Sequence, residues 1–112
     1  MLARRKPPKH GLREDTRSFP RHLKFVRGFV CACFAHDACA GRIEAHHVRE
    51  NGAGGTGLKP PDWLAVSLCA AHHAEGHAIG WKTFEVKYGV DLAGEAAKLA
   101  KVSPARGEWE GA

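Results

Sequence analysis

The chain has 112 residues, of which 26% are charged, 13 are glycine and 6 are proline, so it can build one small domain with a modest apolar core. Its start, Met1-Leu2-Ala3-Arg4-Arg5-Lys6, carries no apolar signal-peptide core, and no run approaches the ~20 apolar residues of a bilayer span; this excludes a membrane partner and predicts a cytoplasmic protein with reduced thiols. The net charge of +5 is concentrated in Arg4, Arg5, Lys6, Lys9, Arg13, Arg17, Arg21, Lys24 and Arg27, opposed there only by Glu14 and Asp15, which points to a polyanionic partner because each phosphate neutralised releases condensed counterions.

Residues 1–17 combine Pro7, Pro8 and Gly11 with many charges and are expected as a basic arm, disordered until a partner orders it. The folded domain is expected over 18–102. From Pro20 to Arg27, the apolar Leu23, Phe25 and Val26 set against Arg21, Lys24 and Arg27 suit a short helix with a cationic outer face. Phe29, Val30 and Cys31 then lead into a tight cysteine-bearing turn. Between Gly41 and Val48, alternation puts Ile43 and Ala45 on one strand face and Glu44 and His46 on the other, with His47 opposite His46 or at the strand end. Asn51-Gly52-Ala53-Gly54-Gly55-Thr56-Gly57 cannot be a regular element, since four of its seven residues are glycine. After Pro60-Pro61, Leu64, Val66 and Leu68 alternate as a second short strand that ends at Cys69. Helices are expected over Ala70–His77, over Trp81–Tyr88 with Gly89 as its cap, and over Leu92–Ala100 with Asp91 as N-cap. Trp81, Phe84 and Tyr88 fall at helical spacing and are read as core. Residues 103–112 read as a flexible tail.

Five of the eight histidines and one of the four cysteines stand between residues 46 and 77, and imidazole and thiolate are the ligands zinc-like metals prefer. Cys69-x-x-His72 is a chelating pair at zinc-ribbon spacing, with Cys31, Cys33 and Cys39 as distal partners. The set Cys31, Cys39, Cys69 and His72, with Cys33 as a substitute for Cys31 or Cys39, would close a structural zinc site. A second group would hold one further metal: His46 at a strand end, faced by His73 and His77 at i and i+4 on a helix. Three imidazoles leave coordination positions open, as catalytic sites do. His47 would be left unligated, and a neutral imidazole beside a metal-bound phosphate can take a proton from water. The bland alternatives are thiols packed as small hydrophobes and histidines that complete a single zinc site. Two decoys fail: no Pro-Cys-x-x-Cys of a zinc deaminase follows His73-Ala74-Glu75, and there is no His-Glu-x-x-His helix.

In this order the strand with Ala45-His46-His47, the glycine loop, Asp62, the second strand and Cys69-Ala-Ala-His72-His73-Ala-Glu-Gly-His77 resemble the HNH endonucleases. More narrowly, the chain is similar to small phage and prophage HNH proteins that include RecA-dependent nuclease-like members. The resemblance covers about residues 18–92 and includes His22-Leu-x-x-Val-Arg27, Ala45-His-His-Val-Arg49, Gly52-x-Gly-Gly-x-Gly-x-Lys-Pro-x-Asp62 and Leu68-Cys-x-x-His-His-x-x-x-His77. It implies an α+β fold: a small ββα-metal (His-Me finger) domain with flanking helices and a structural Zn2+. It also implies that His46 and His73 bind a catalytic divalent ion (Mg2+, Mn2+, Ni2+ or Zn2+), with His77 as an additional ligand, and that His47 is the general base. The middle Asn that orients the base in the family has no counterpart here. Asp62 stands nearest to its position, whereas Asn51 lies in the glycine loop.

The expected reaction is hydrolysis of DNA phosphodiester bonds in a phage, prophage or recombination setting. Arg49 or Lys59 would bind flanking phosphates, and Arg21, Lys24 and Arg27 would add nucleic-acid contacts. Backbone contacts carry little sequence information, so specificity should be low unless a partner such as a recombinase filament supplies it. The residues give no reading of oligomeric state. The alternatives are a non-catalytic zinc-binding DNA module and a small protein-interaction module whose basic arm docks an acidic partner.

Overall fold

The computed structural model describes residues 18–36, 38–49 and 60–110. At its centre β1 (Ile43–His47) and β2 (Ala65–Cys69) pair antiparallel, with Ile43 opposite Cys69, Ala45 opposite Ser67 and His47 opposite Ala65. Because successive side chains alternate between faces, Glu44 and His46 share a face with Leu68 and Val66, while Ala45 and His47 share the other with Ser67 and Ala65. All of β2 is buried. On one side of the sheet Ala65 meets Val26 of α1 (Pro20–Arg27) and Leu99 of α4 (Leu92–Val102), with Leu23, Phe25 and Ala45 packed around them. On the other, Val66 and Leu68 meet Phe84, Leu92 and Ala96. Phe84 and Leu68 are fully buried, each a gain of about 1.5–3 kcal/mol over leaving such a side chain in water.

The free edge of β2 is covered by the segment after α1. Ala32 N–H donates to the Ser67 carbonyl at 2.8 Å and Ser67 Oγ–H to the Val30 carbonyl at 2.7 Å, which removes an exposed strand edge. A 3-10 turn, Asp62–Leu64, leads into β2. α2 (Ala70–Ile79) starts directly after Cys69, whose Sγ accepts the His72 N–H as an N-cap. It stops at Gly80, where φ is +93°, and α3 (Trp81–Tyr88) begins at once. Gly89 in the left-handed conformation ends α3, and Asp91 caps α4 by accepting the Gly94 N–H at 3.1 Å.

The helix over Pro20–Arg27 and the alternation in β1 agree with expectation. Leu64 lies in the 3-10 turn rather than in β2, α2 runs on to Ile79, and α4 to Val102. The loose tail expected over 103–112 is corrected for 103–110. Ser103 and Ala105 are buried, and a short α5 (Gly107–Glu110) follows. Trp109 sets its ring 5.2 Å from Phe19, 5.0 Å from His22 and 5.9 Å from Trp63, and Glu108 pairs with Arg21 of α1. A tryptophan can bury enough apolar area to dock a segment with little else to offer. The basic arm over 1–17, the glycine loop with Asn51, and Lys59 lie outside the described residues. No helix among the described residues is long and apolar enough to cross a membrane.

Candidate active site and metal centres

The junction of β2 and α2 builds the first ligand group. Cys69 ends the strand, His72 follows one helical turn on, and Cys31 and Cys39 arrive from the turn between α1 and β1. The four ligand atoms all lie within 4.8 Å of one another. His72 Nδ1 stands 3.2 Å from Cys69 Sγ and 3.6 Å from both Cys31 Sγ and Cys39 Sγ. A tetrahedral zinc ion spaces sulfur and nitrogen ligands by about 3.6 Å, so the donor set fits a closed four-ligand site. Burial raises the Cys69 thiol, but N–H donors from His72 and Ala40 outweigh it and bring the pKa down to about 7, toward the thiolate a metal needs. Burial and the neighbouring Cys31 and Cys69 thiols push Cys39 up to about 12 without a metal. Cys33, the expected substitute, is not in this group. It is fully buried in the apolar cluster, and burial followed by its cysteine neighbours pushes its thiol up to about 12.

The second group is His46, His73 and His77, whose ligand nitrogens likewise lie within 4.8 Å of one another. Strand alternation turns His46 toward α2, and the i, i+4 spacing puts His73 and His77 on the α2 face that meets it. Glu44, two residues before His46 and therefore on the same strand face, holds His73 Nδ1 at 2.7 Å from its Oε1. That carboxylate fixes the N–H on Nδ1 and leaves the Nε2 lone pair to face a metal, the usual outer-shell arrangement of a metal-bound imidazole. Trp81 stacks on His46 with ring centres 4.0 Å apart and planes at 28°. Burial, then His73, His77 and His47, push the pKa of His46 down to about 3, so it stays in the neutral, ligating form. Gly76 makes the stacking possible: a Cβ there would lie 1.9 Å from Trp81 Cζ3.

His47 points to the opposite face of β1 from His46. Its Nε2 lies 2.8 Å from Asp62 Oδ1, and the other oxygen of this buried carboxylate accepts the Phe19 backbone N–H at 2.7 Å. With Nε2–H donating to Asp62, Nδ1 is the ring atom left to accept a proton. His46, His47, Arg49, His77, Trp81 and Lys82 line one cleft of about 380 Å³. Arg21, Lys24 and Arg27 sit on α1, which packs on the sheet face away from His46, and none of them lines this cleft.

The structure therefore brings together each ligand set read from the sequence and pairs His47 with Asp62. Sequence reasoning missed Glu44 as the partner of His73, Trp81 as the cover of His46, and the Phe19 backbone as the second hold on Asp62. Glu44 was findable, since alternation already put it beside His46. The Trp81 contact depends on how α3 folds back on α2, and the Phe19 contact on how α1 enters the domain.

Residues 6–106 match a family described as "Protein of unknown function (DUF968)". A protein named "Uncharacterized protein YdfU" from Escherichia coli (strain K12) is 35% identical over 72 residues, covering 64% of this chain and 19% of that protein. Proteins named "Putative nuclease YbcO" from Escherichia coli (strain K12) and "Putative nuclease ybcO" from Enterobacteria phage 82 are each 40% identical over 55 residues, covering 46% of this chain and 57% of theirs. The chain thus spans about a fifth of the first relative and somewhat over half of the other two. No solved structure matches it at a significant level.

Proposed function

The chain belongs to the DUF968 family, and we propose that it is a metal-dependent DNA endonuclease of the HNH type, with β1, β2 and α2 as its ββα-metal site. The observation that carries this reading is one cleft lined both by His46 and His77 of the three-imidazole group and by His47, a histidine held by a buried carboxylate. Relatives with nuclease in their names support it.

A divalent ion held by His46, His73 and His77 (Mg2+, Mn2+, Ni2+ or Zn2+) would supply Lewis-acid stabilisation of phosphate charge and of the leaving oxygen. His47 takes a proton from the attacking water at Nδ1. Asp62 holds the ring in the tautomer this needs and stabilises the imidazolium that forms. Arg49 on the cleft wall, and Lys59 from the sequence reading, bind flanking phosphates. Residues 1–17 gather the polyanion. The Cys31, Cys39, Cys69 and His72 group holds Zn2+ with no open position and serves the fold, which suits a cytoplasm that keeps thiols reduced. Nothing in the relatives' names or among the described residues supports a recombinase filament, so the proposal is made for the chain alone.

The second reading, a zinc-binding DNA module without chemistry, is favoured only by the Cys/His group. Nicking of supercoiled plasmid separates the two. Protein stripped of its weakly held ions is inactive, and addition of Mg2+, Mn2+, Ni2+ or Zn2+ restores nicking with at least one of them. Salt-sensitive plasmid binding with no nicking under any ion would favour the binding module.

A further inference from the structure

A second surface takes no part in the chemistry above. Between the end of α1 and β1 lies an open groove of about 630 Å³, lined by Arg27, Phe29, Val30, Phe34, Gly41 and Ile43 beside the cysteine group. It shares no lining residue with the histidine cleft. Phe29, Val30 and Phe34 are 40%, 63% and 68% exposed. Three large apolar side chains bared within one short segment of a small domain mark a contact surface rather than scattered surface residues. Phe29 is braced edge-on against Phe25, ring centres 4.9 Å apart, so its exposed face is held in place.

Charge identifies the occupant. Among the described residues Arg27 is the only charged side chain that lines the groove, and Lys24, one turn earlier on the same side of α1, extends the positive rim. The floor, formed partly by Cys31, Cys39 and Cys69, carries no net positive charge, since three thiolates outweigh the Zn2+ they are proposed to hold. An anionic chain would therefore run along the rim and set apolar faces inward. Unpaired nucleotides have that build, whereas a duplex hides its base faces, and a purely apolar peptide would not use the rim. We propose that this groove binds single-stranded nucleic acid, with bases stacked on Phe34 and Phe29 and phosphates along Arg27 and Lys24. The proposal rests on the nuclease reading only in taking nucleic acid as the ligand, not on cleavage.

The test is fluorescence anisotropy with the full chain and a labelled oligo-dT, beside a duplex of the same length. Phe34→Ala is expected to lose about tenfold in oligo-dT affinity, the scale of one lost base stack, with duplex affinity and thermal midpoint held. Phe34→Trp keeps the wild-type affinity, and Arg27→Gln weakens oligo-dT binding and flattens its salt dependence. Unchanged oligo-dT affinity in Phe34→Ala would overturn the proposal, as would an equal loss on both ligands. A lower thermal midpoint without loss of affinity would make Phe34 a packing residue and overturn it too. Anisotropy is read without added divalent ion, so binding is scored apart from cleavage: Phe34-dependent oligo-dT binding without plasmid nicking would refute the nuclease reading alone, and nicking with Phe34-independent binding would refute the groove alone.

Discussion

His46 and His47 are adjacent in the chain and live in unlike surroundings because a strand sends neighbours to opposite faces. His46 is buried under Trp81 and kept neutral, a ligand's environment; His47 is half-buried and tied to Asp62, a base's environment. The opposite facing was legible from alternation, the ligands His73 and His77 from helical spacing and His72 from the Cys69-x-x-His72 spacing, whereas the burial of His46 was not and Asp62 was singled out only by the family resemblance. Alternation also put Glu44 beside His46, but its bond to His73 and that of Phe19 to Asp62 span 29 and 43 residues and were not read, because they depend on how the elements meet. The Glu44 contact makes a direct prediction. Glu44→Gln loses the charge that orients and enriches His73, so affinity for a divalent ion at the histidine group falls about 10–100-fold. Calorimetric titration of Mn2+ or Ni2+ into protein that retains its cysteine-bound metal measures it. An unchanged affinity would reduce Glu44 to a surface acid.

At the scale of elements, α2 serves two centres at once. Its 3.6-residue period turns His72 toward the cysteines and His73 with His77 toward β1, while Cys69 both ends β2 and caps α2. Moving any part of α2 therefore disturbs both groups. Gly76 shows which force wins. Intrinsic propensity says that alanine in a helix interior should gain up to about 1 kcal/mol. Here the added carbon would collide with the Trp81 ring, and overpacking of this kind costs about 1–3 kcal/mol. Gly76→Ala is therefore expected to lower the thermal midpoint and the nicking rate together, since Trp81 must leave His46. A higher midpoint in a melting experiment would show that the ring moves freely. The sequence reading took Trp81 only as a core aromatic and drew nothing from Gly76, because periodicity names a face but not what the face meets.

For the molecule as a whole, the element order and the α+β class were legible. The docking of the C-terminal segment was not, because a short stretch with one tryptophan has no periodicity to read. That docking encloses His22, whose Nδ1 meets Ser103 Oγ at 2.9 Å while its Nε2 is buried without a hydrogen-bond partner. Burial lowers its pKa against the opposing pull of Asp62. The neutral form is thus the one the fold accepts. Above the unfolded value of about 6.5 the contribution is complete; as pH falls below it, the unfolded chain binds a proton the folded chain refuses, and stability drops by up to about 1.4 kcal/mol per pH unit. Urea melts between about pH 6.5 and 5 should show a smaller loss in His22→Gln than in wild type, and parallel losses would remove His22 as a cause. The whole account turns on His47 as the base beside the histidine group. The deciding measurement is the single-turnover nicking rate of His47→Ala against wild type at equal metal content and equal thermal midpoint. The rate is expected to fall by about 100-fold or more, the usual contribution of a general base, and cleavage within a few-fold of wild type would contradict the assignment.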